Sequence, residues 1–259
     1  MTAPGLRLRD LVADLRIGFL LFTRLPLAHA APLEGADVAR ATWAAPPVGA
    51  AVGALGAAVY WLAHRAGLPP LAAAGLALVA TIAATGALHE DGLADTADGF
   101  GGGATRERKL EIMRDSKIGT YGVCALFMSL LLRSSALASI ADPALAAPVL
   151  VAAHMVARAG IPLFMRLVPP ARADGLSVGV GTPPSASATA ALLIGIVALG
   201  IGLGPAAGVC ALALLAAAFV FLAWLCMRQI GGQTGDVLGA LEQIGEIVVL
   251  LVAAANIGG

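Results

Sequence analysis

The sequence predicts an all-α fold: a polytopic integral membrane helical bundle of about seven transmembrane helices, preceded by an N-terminal interfacial amphipathic helix. Of the 259 residues, 59% are hydrophobic and only 12% are charged, and the mean hydropathy is +0.89. These values lie far outside the composition of a soluble domain. Several apolar stretches are also long enough to cross a bilayer core of about 30 Å, which takes roughly 20 residues of helix.

The predicted elements follow one another without a linker. In the N-terminal segment, residues 1–27, apolar residues recur at helical spacing and predict a helix in the membrane interface. These residues are Leu11, Leu15, Phe19 and Phe22. The predicted spans then lie near 44–64, 68–88, 121–140, 144–167, 186–203, 205–227 and 237–255. We therefore expect a single domain over residues 1–259, with its transmembrane bundle at 44–255.

Lysine and arginine residues are distributed unevenly over the loops. With seven spans, the N-terminal segment and the loops after spans two, four and six share one face and carry most basic residues, whereas Arg65 is alone on the other. The positive-inside rule makes the crowded face cytoplasmic. The formal net charge of zero gives no reason to expect a nucleic-acid partner. The bilayer is the expected partner, and the sequence is compatible with a homo-oligomer.

The motif LHEDGLADTADGFGGG places four carboxylates directly after the second apolar stretch. If the second span continues as one helix, Asp91, Asp95 and Asp98 fall on one stripe of its surface. Like charges at this spacing destabilise a helix unless a cation lies among them, and Mg2+ prefers carboxylate and phosphate oxygens. Together with Glu90, these residues predict a metal site that binds phosphates, and the glycines would let backbone amides approach an anion. The alternative is a solvated acidic helix end with a flexible loop.

A second motif, TRERKLEIMRDSKIGTYG at 105–122, supplies basic groups close in sequence to the acidic motif. Arginine and lysine commonly hold phosphates during their transfer. The candidates for phosphate contact in this motif are Arg106, Arg114, Asp115, Ser116 and Lys117. The alternative is that the basic residues only keep this loop in the cytoplasm.

A third motif, GGQTGDVLGALEQIGE, combines polar residues with the start of the last span. It places Asp236 at a helix entry, and Glu242 and Glu246 one turn apart inside the span. Carboxylates at membrane depth are costly and need a cavity or a cationic partner. Arg133 and Arg158, which also lie inside predicted spans, are the candidate partners. The alternative role for these groups is a purely structural ion pair.

Several blocks together resemble a known family. In chain order they are FLLFTRLPL at 19–27, GALHEDGLADTADGFGGG at 86–103, KLEIMRDSKIGTYG at 109–122, PPARADGLSVGVG at 169–181 and GQTGDVLGALEQIGE at 232–246. The chain resembles the cobalamin synthase family, the adenosylcobinamide-GDP ribazoletransferases, over nearly its whole length. This resemblance implies a bacterial or archaeal inner-membrane enzyme for the last assembly step of the cobalamin nucleotide loop. Such an enzyme joins adenosylcobinamide-GDP to alpha-ribazole or its 5′-phosphate, releases GMP and requires Mg2+.

The resemblance also implies roles for individual residues. The acidic motif of the family maps onto Glu90, Asp91, Asp95 and Asp98, which are the candidate Mg2+ ligands, and its second block maps onto RDSK. Glu90 or His89 would orient or deprotonate the attacking hydroxyl. The residues expected to contact substrate or phosphate are Arg106, Arg114, Asp115, Ser116, Lys117, Arg158 and Asp236.

Two other classes of protein share part of this pattern. The DTADG stretch fits the DxxDG opening of CDP-alcohol phosphatidyltransferases, but the Ala-Arg pair and the Gly-Asp-Asp series of that family do not follow at the required spacing. The second class is an ion-coupled transporter, in which the charged residues inside the spans would form an intramembrane relay. These residues are Glu242, Glu246, Arg133 and Arg158. Transporters usually show internal repeats, and the densest polar groups here lie at one face, which makes an enzyme the better interpretation.

Overall fold

The structure, a computed structural model, describes residues 8–26 and 35–257, and their regular secondary structure is helical. The helices are α1 (Leu8–Phe22), α2 (Gly35–Ala41), α3 (Ala45–Arg65), α4 (Pro70–Thr85), α5 (Leu88–Gly102), α6 (Arg106–Ile112), α7 (Thr120–Ile140), α8 (Pro143–Ala159), α9 (Ile161–Leu167), α10 (Leu176–Val180), α11 (Ser185–Leu203), α12 (Pro205–Ile230) and α13 (Gly235–Ile257). The all-α prediction is confirmed. Residues 1–7 and Leu27 of the predicted N-terminal segment lie outside the described residues.

The described residues contain six helical segments that are long and apolar enough to cross a membrane. These are Gly35–Arg65, Thr120–Ile140, Pro143–Leu167, Ser185–Leu203, Pro205–Ile230 and Gly235–Asn256. A seventh candidate is the pair of α4 and α5, which meets the same test only when the two helices are taken together. The chain is therefore a multi-pass membrane protein, as predicted.

The second predicted span does not continue as one helix through the acidic motif. After α4 ends at Thr85, Gly86 and Ala87 adopt left-handed backbone conformations, with φ of 66° and 58°. Their amides donate to the carbonyls of Ala83 (3.3 Å) and Ile82 (3.0 Å), which is the Schellman arrangement that terminates a helix. α5 then leaves at an angle of 91°. The acidic motif consequently lies on a helix with a direction of its own.

Gly86 is the residue in this break for which we expect the largest cost of substitution. A Cβ at Gly86 would lie 2.2 Å from Nε of Arg24, and a left-handed conformation costs a non-glycine residue about 1–2 kcal/mol. We expect Gly86→Ala to lower the free energy of unfolding by about 2–4 kcal/mol, measured as thermal unfolding in detergent. Gly67→Ala is the matched control, because Gly67 also has a positive φ (79°) but its Cβ would have nothing within 4 Å. Equal losses at both positions would contradict the role of the Arg24 contact.

A buried carboxylate attaches α1 to the bundle. Asp14 is fully buried and accepts hydrogen bonds from Nη2 of Arg40 (3.0 Å) and Nε1 of Trp43 (2.8 Å). Within residues 10–22 of α1, the buried residues are Asp14, Ile17, Gly18 and Phe22. Of the predicted apolar stripe, only Phe22 belongs to this face, and the other three residues are partly buried. Asp14 therefore belongs to the packed face of α1, although it interrupts the apolar pattern.

The buried apolar residues form two clusters, which α13 connects. The last α13 residue of one cluster is Leu241, and the first α13 residue of the other is Val249. Glu242 and Glu246 lie between them and are fully buried. The bundle thus has a charged layer between two apolar layers, and its polar groups must be paired with one another.

Candidate active site

α5 crosses α13 at two glycines. A Cβ on Gly92 would lie 2.7 Å from the carbonyl oxygen of Asp236 and 3.1 Å from Cα of Gly239. Only residues without a side chain let two backbones approach this closely. The crossing places the acidic motif of α5 against the first turn of α13, so it brings together the first and third sequence motifs.

Asp91 and Asp95 of α5 and Asp236 of α13 form an acidic group beside this crossing. Asp91 is exposed, whereas Asp95 and Asp236 are partly buried. The carboxylates of Asp91 and Asp236 both repel that of Asp95. Arg172 approaches the group from the loop after α9, with Nη2 3.6 Å from Oδ2 of Asp236. Because carboxylates this close destabilise one another, a bound cation would stabilise the group.

Asp98, which the sequence places on one helix stripe with Asp91 and Asp95, is bound to the backbone of a neighbouring helix. Its carboxylate oxygens accept hydrogen bonds from the backbone amides of Gly119 (2.7 Å) and Gly122 (2.8 Å). These amides lie at the N-terminus of α7, where the first turn of a helix has unpaired N–H groups and favours negative charge. The Asp98 side chain therefore holds α5 against the beginning of α7.

A cavity of about 430 Å³ opens beside the acidic group. Its charged and hydroxyl-bearing lining residues are Glu90, Asp91, Asp95, Arg114, Asp115 and Ser116. The first three come from α5 and the others from the loop before α7, so the structure brings the first and second sequence motifs to one cavity. Arg114 also forms an ion pair with Asp174.

Three of the residues expected to contact substrate lie elsewhere. Arg106 donates from Nη2 to the carbonyl of Ala171 (2.8 Å) and so ties α6 to the loop after α9. Lys117 is exposed and does not line the cavity, although its backbone amide donates to Asp115 (3.1 Å). Arg158 belongs to the buried charged layer. Of the predicted contact residues, Arg114, Asp115 and Ser116 line the cavity, whereas Asp236 belongs to the acidic group beside it.

Glu90 connects the cavity to the buried layer. Its Oε1 accepts hydrogen bonds from Nη2 of Arg133 and from Nε2 of Gln243, both at 3.1 Å. Its Oε2 is buried and has no hydrogen-bond partner among the described residues. Glu90 is therefore a carboxylate that is fixed by one oxygen beside a cavity and retains a free acceptor on the other.

Behind Glu90, the charged layer pairs the residues for which the sequence predicted ionic partners. Nη1 of Arg133 lies 2.8 Å from Oε2 of Glu246. Nη1 of Arg158 lies 2.5 Å from Oε1 of Glu242 and 3.3 Å from Oε1 of Glu246. All four side chains are almost completely buried. The predicted pairing of these arginines with these glutamates is confirmed.

His154 and His89 also contact this layer, and His154 raises the question of a metal. His154, Glu242 and Glu246 are the one set of three residues, within the part of the chain that the structure describes, whose potential ligand atoms all lie within 4.8 Å of one another. By distance this group could hold a metal ion. However, Arg158 contacts both carboxylates, and its positive charge opposes a divalent cation at the same place. The charge pairing in this layer is therefore supplied by the arginines.

Two polar residues of the site were missed by the sequence analysis. Arg172 approaches the acidic group, and its Nη1 is buried with no hydrogen-bond partner within the described residues. Gln243 links Glu90 to Ser129, whose hydroxyl donates to Oε1 of Gln243 (2.9 Å). The sequence did contain signals for these residues. Arg172 lies in a loop on the same face as the other motifs, and Gln243 and Ser129 are polar residues in the middle of apolar spans.

The glycines after the acidic motif serve helix packing, which differs from the expectation that they admit an anion. A Cβ on Gly99 would lie 2.4 Å from Cγ of Met113, and one on Gly101 would lie 2.6 Å from the ring of Tyr121. The space beside these backbones is therefore filled by α6, α7 and the loop between them.

The fold and the cavity are those of a polytopic membrane protein whose carboxylates and arginine suit metal-assisted chemistry on phosphates. The family model described as "Cobalamin-5-phosphate synthase" matches residues 14–254. The chain belongs to the cobalamin-5-phosphate synthase family, and it is a transferase of cobalamin biosynthesis. Neither the phosphatidyltransferase nor the transporter interpretation agrees with this membership.

Curated relatives support the same family. The chain is 59% identical to the adenosylcobinamide-GDP ribazoletransferase of Bradyrhizobium diazoefficiens, with 97% of each chain covered. It is 50% identical to that of Mesorhizobium japonicum, with 98% of each covered. The protein of the same name from Azorhizobium caulinodans is 45% identical, over 93% of this chain and 95% of the relative. No solved structure matches the chain.

Proposed function

We propose that this transferase joins adenosylcobinamide-GDP to alpha-ribazole, or to its 5′-phosphate, and releases GMP in the 430 Å³ cavity. The composition of that cavity carries the proposal. It combines carboxylates suited to a metal, the phosphate-binding groups of Arg114 and Ser116, and the free oxygen of Glu90. The name of these relatives, adenosylcobinamide-GDP ribazoletransferase, specifies the same type of donor and acceptor.

Mg2+ fits the acidic group beside the cavity. Asp91, Asp95 and Asp236 offer the hard oxygen ligands that this ion prefers, and Mg2+ is commonly held by one or two carboxylates together with water and substrate phosphate oxygens. We assign these three residues to the metal, whereas Asp98 and Glu90 have other partners. When bound, the ion neutralises the negative charge that develops on the phosphate and on GMP.

The remaining steps are carried by the protein's own side chains. Arg114 and Arg172 bind phosphate oxygens of the GDP-activated substrate. Oε2 of Glu90 accepts the proton of the attacking ribose hydroxyl. The hydroxyl oxygen bonds to the phosphorus that carries the cobinamide alcohol, and the bond from this phosphorus to the GMP oxygen breaks. Arg133 and Gln243 position Glu90 through its other oxygen.

We also propose that the protein resides in a bacterial inner membrane with this cavity toward the cytoplasm. Arg106, Arg114 and Arg172 belong to loops or short helices at the end of the bundle that carries the cavity. Arg65 ends α3 at the opposite end. The positive-inside rule supports this orientation.

A direct test uses purified protein in detergent with adenosylcobinamide-GDP, alpha-ribazole and Mg2+. We expect equal amounts of GMP and cobalamin, and EDTA should lower the rate of GMP release at least about a hundredfold because the phosphate charge is no longer neutralised. Excess Mg2+ should restore the rate. A lipid alcohol offered in place of alpha-ribazole is the matched control and should give no GMP above background. An unchanged rate in EDTA would contradict the metal assignment, and a lipid product would contradict the proposed acceptor.

A further inference from the structure

A groove runs along the outside of the bundle between α3, α8 and α11, which all belong to membrane-spanning segments. It consists of an apolar cavity of about 730 Å³ and a second cavity of about 530 Å³ that carries polar residues. Ala57 of α3 and Ala147 of α8 line both cavities. Because the two cavities share walls on two helices, they form one continuous groove with an apolar half and a polar half.

Glycines hold α3 and α11 against α8 on either side of this groove. A Cβ on Gly53 of α3 would lie 2.7 Å from the carbonyl oxygen of Leu150, and one on Gly202 of α11 would lie 2.8 Å from that of Pro148. Small residues allow such close approach between helices in a membrane. The groove is therefore a product of tight packing between the three helices, and its walls are in place before any ligand binds.

The apolar half faces the hydrocarbon of the bilayer. All of its lining residues are apolar. Its outer wall consists of Leu193, Val197 and Ile201 of α11, which are 58%, 60% and 76% exposed. Such walls favour a hydrocarbon chain over a hydrated ligand.

The depth of the groove matches one leaflet of a bilayer. Along α8, the apolar half extends from Ala147 to Met155, which is about 12 Å at a rise of about 1.5 Å per residue. One half of a hydrocarbon core of about 30 Å is about 15 Å deep. The polar half lies around Pro143, the first residue of α8, where a leaflet meets its headgroup layer. The groove thus has the dimensions of a single lipid.

The polar half offers a cation to a lipid phosphate. Trp61 and His64 of α3 line it, and the guanidinium of Arg65 lies over the Trp61 ring, 5.6 Å from the centroid. Asp142 also lines it, but its Oδ1 accepts a hydrogen bond from the amide of Ala144 (2.9 Å), and the N-terminus of α8 compensates its charge. Tryptophan and arginine are typical of the interface between membrane and water, and arginine binds phosphate with charge-assisted hydrogen bonds.

We propose that this groove binds one phospholipid, with an acyl chain in the apolar half and the phosphate beside Arg65 and His64. The site lies at the opposite end of the bundle from the 430 Å³ cavity and shares no lining residue with it. It is therefore a binding site separate from the proposed reaction. A lipid held there contacts α3, α8 and α11 together and stabilises the folded protein by mass action.

The first test compares two lipids that have the same acyl chains and differ in the phosphate. Purified protein in detergent, without substrates, is mixed with dioleoyl phosphatidylglycerol or with dioleoylglycerol, and bound lipid is measured by native mass spectrometry. We expect one phosphatidylglycerol per chain, bound roughly tenfold more tightly than the diacylglycerol, because only its phosphate pairs with arginine. Equal binding of the two lipids, or a dimer of the chain without bound lipid, would overturn the proposal.

Arg65→Gln tests the contact with the phosphate. Arg65 is exposed, so the substitution leaves the packed interior unaltered, and the preference for phosphatidylglycerol should fall to about twofold or less. Arg108→Gln is the matched control, because it removes an exposed arginine of α6, and it should retain the full preference. A preference that persists in Arg65→Gln, or that is lost equally in both variants, would contradict the assigned position of the phosphate.

Ala147→Leu tests the groove itself. Ala147 lines both halves, so a larger side chain there fills their junction and should weaken the binding of both lipids at least about tenfold. Ala216→Leu is the control, because Ala216 lines a separate apolar cavity of about 240 Å³, and it should leave both affinities unchanged. Thermal unfolding identifies the folded preparations, and equal lipid affinities in the two folded variants would rule out this groove as the site. Since binding is measured without substrates, the outcome is independent of the proposed function.

Discussion

Replacing Asp91 by Asn is expected to lower kcat for GMP release by about a thousandfold, the scale of losing one preorganised charge at a reacting phosphate. Asp91 is exposed at the cavity, so this change removes a charge and leaves the packed interior unaltered. The measurement is the initial rate of GMP release at saturating Mg2+, together with thermal unfolding of the same preparation. We expect the free energy of unfolding to stay within about 0.5 kcal/mol of that of the original protein.

Asp142→Asn is a matched control for this substitution. Asp142 accepts a hydrogen bond from the amide of Ala144 at the start of α8 (2.9 Å), at the opposite end of the bundle from the cavity. Its replacement should change the rate by less than about twofold, because no charge near the phosphate is altered. Near-normal turnover in Asp91→Asn, or equal losses in both variants, would refute the assignment of Asp91 to the metal.

Replacing Arg133 by Met should cause the largest loss of stability, about 3–5 kcal/mol. The guanidinium contacts both Glu90 (3.1 Å) and Glu246 (2.8 Å) within the bundle. Its removal leaves two buried carboxylates without that partner, and uncompensated buried charge is costly. The measurement is the midpoint of thermal or denaturant unfolding in detergent.

Arg108→Met provides a comparison for that loss. Arg108 pairs with Glu111, but the two side chains are 58% and 69% exposed. Because the pair is exposed, replacing Arg108 should lower the free energy of unfolding by less than about 1 kcal/mol. Combining Arg133→Met with Glu246→Gln should recover part of the stability, since one of the two unpaired charges is then removed. No difference between Arg133→Met and Arg108→Met would show that the buried layer is not held by ion pairing.

The spans and the buried ion pairs could be predicted from sequence because each follows from a cost that a membrane imposes. Long apolar stretches identified the helices, and the need to pair charges in lipid identified Arg133 and Arg158 as partners of Glu242 and Glu246. The proximity of Asp91 to Arg114 also followed, because short connections keep neighbouring motifs on one face.

The remaining features depend on tertiary contacts that leave little local signal. A single glycine such as Gly86 is tolerated within a helical pattern, and nothing in the sequence marks Ala87 as left-handed. The role of Asp98 is determined by the amides of Gly119 and Gly122, which belong to another helix. For the same reason, the separation of Glu90 from His89, which line different cavities, could not be derived from their adjacency in sequence.

The glycine crossing of α5 and α13 determines more than helix packing. Gly92 and Gly239 fix the spacing between α5, which lines the 430 Å³ cavity, and α13, which carries Asp236 of the acidic group. In the proposed reaction this spacing sets where Asp236 lies relative to Asp91 and Asp95, and a misplacement of about 1 Å can slow a reaction roughly a hundredfold. The two glycines thus set the effective molarity of the metal-binding carboxylates at the reacting phosphate, a property that a substrate's own affinity would not reveal.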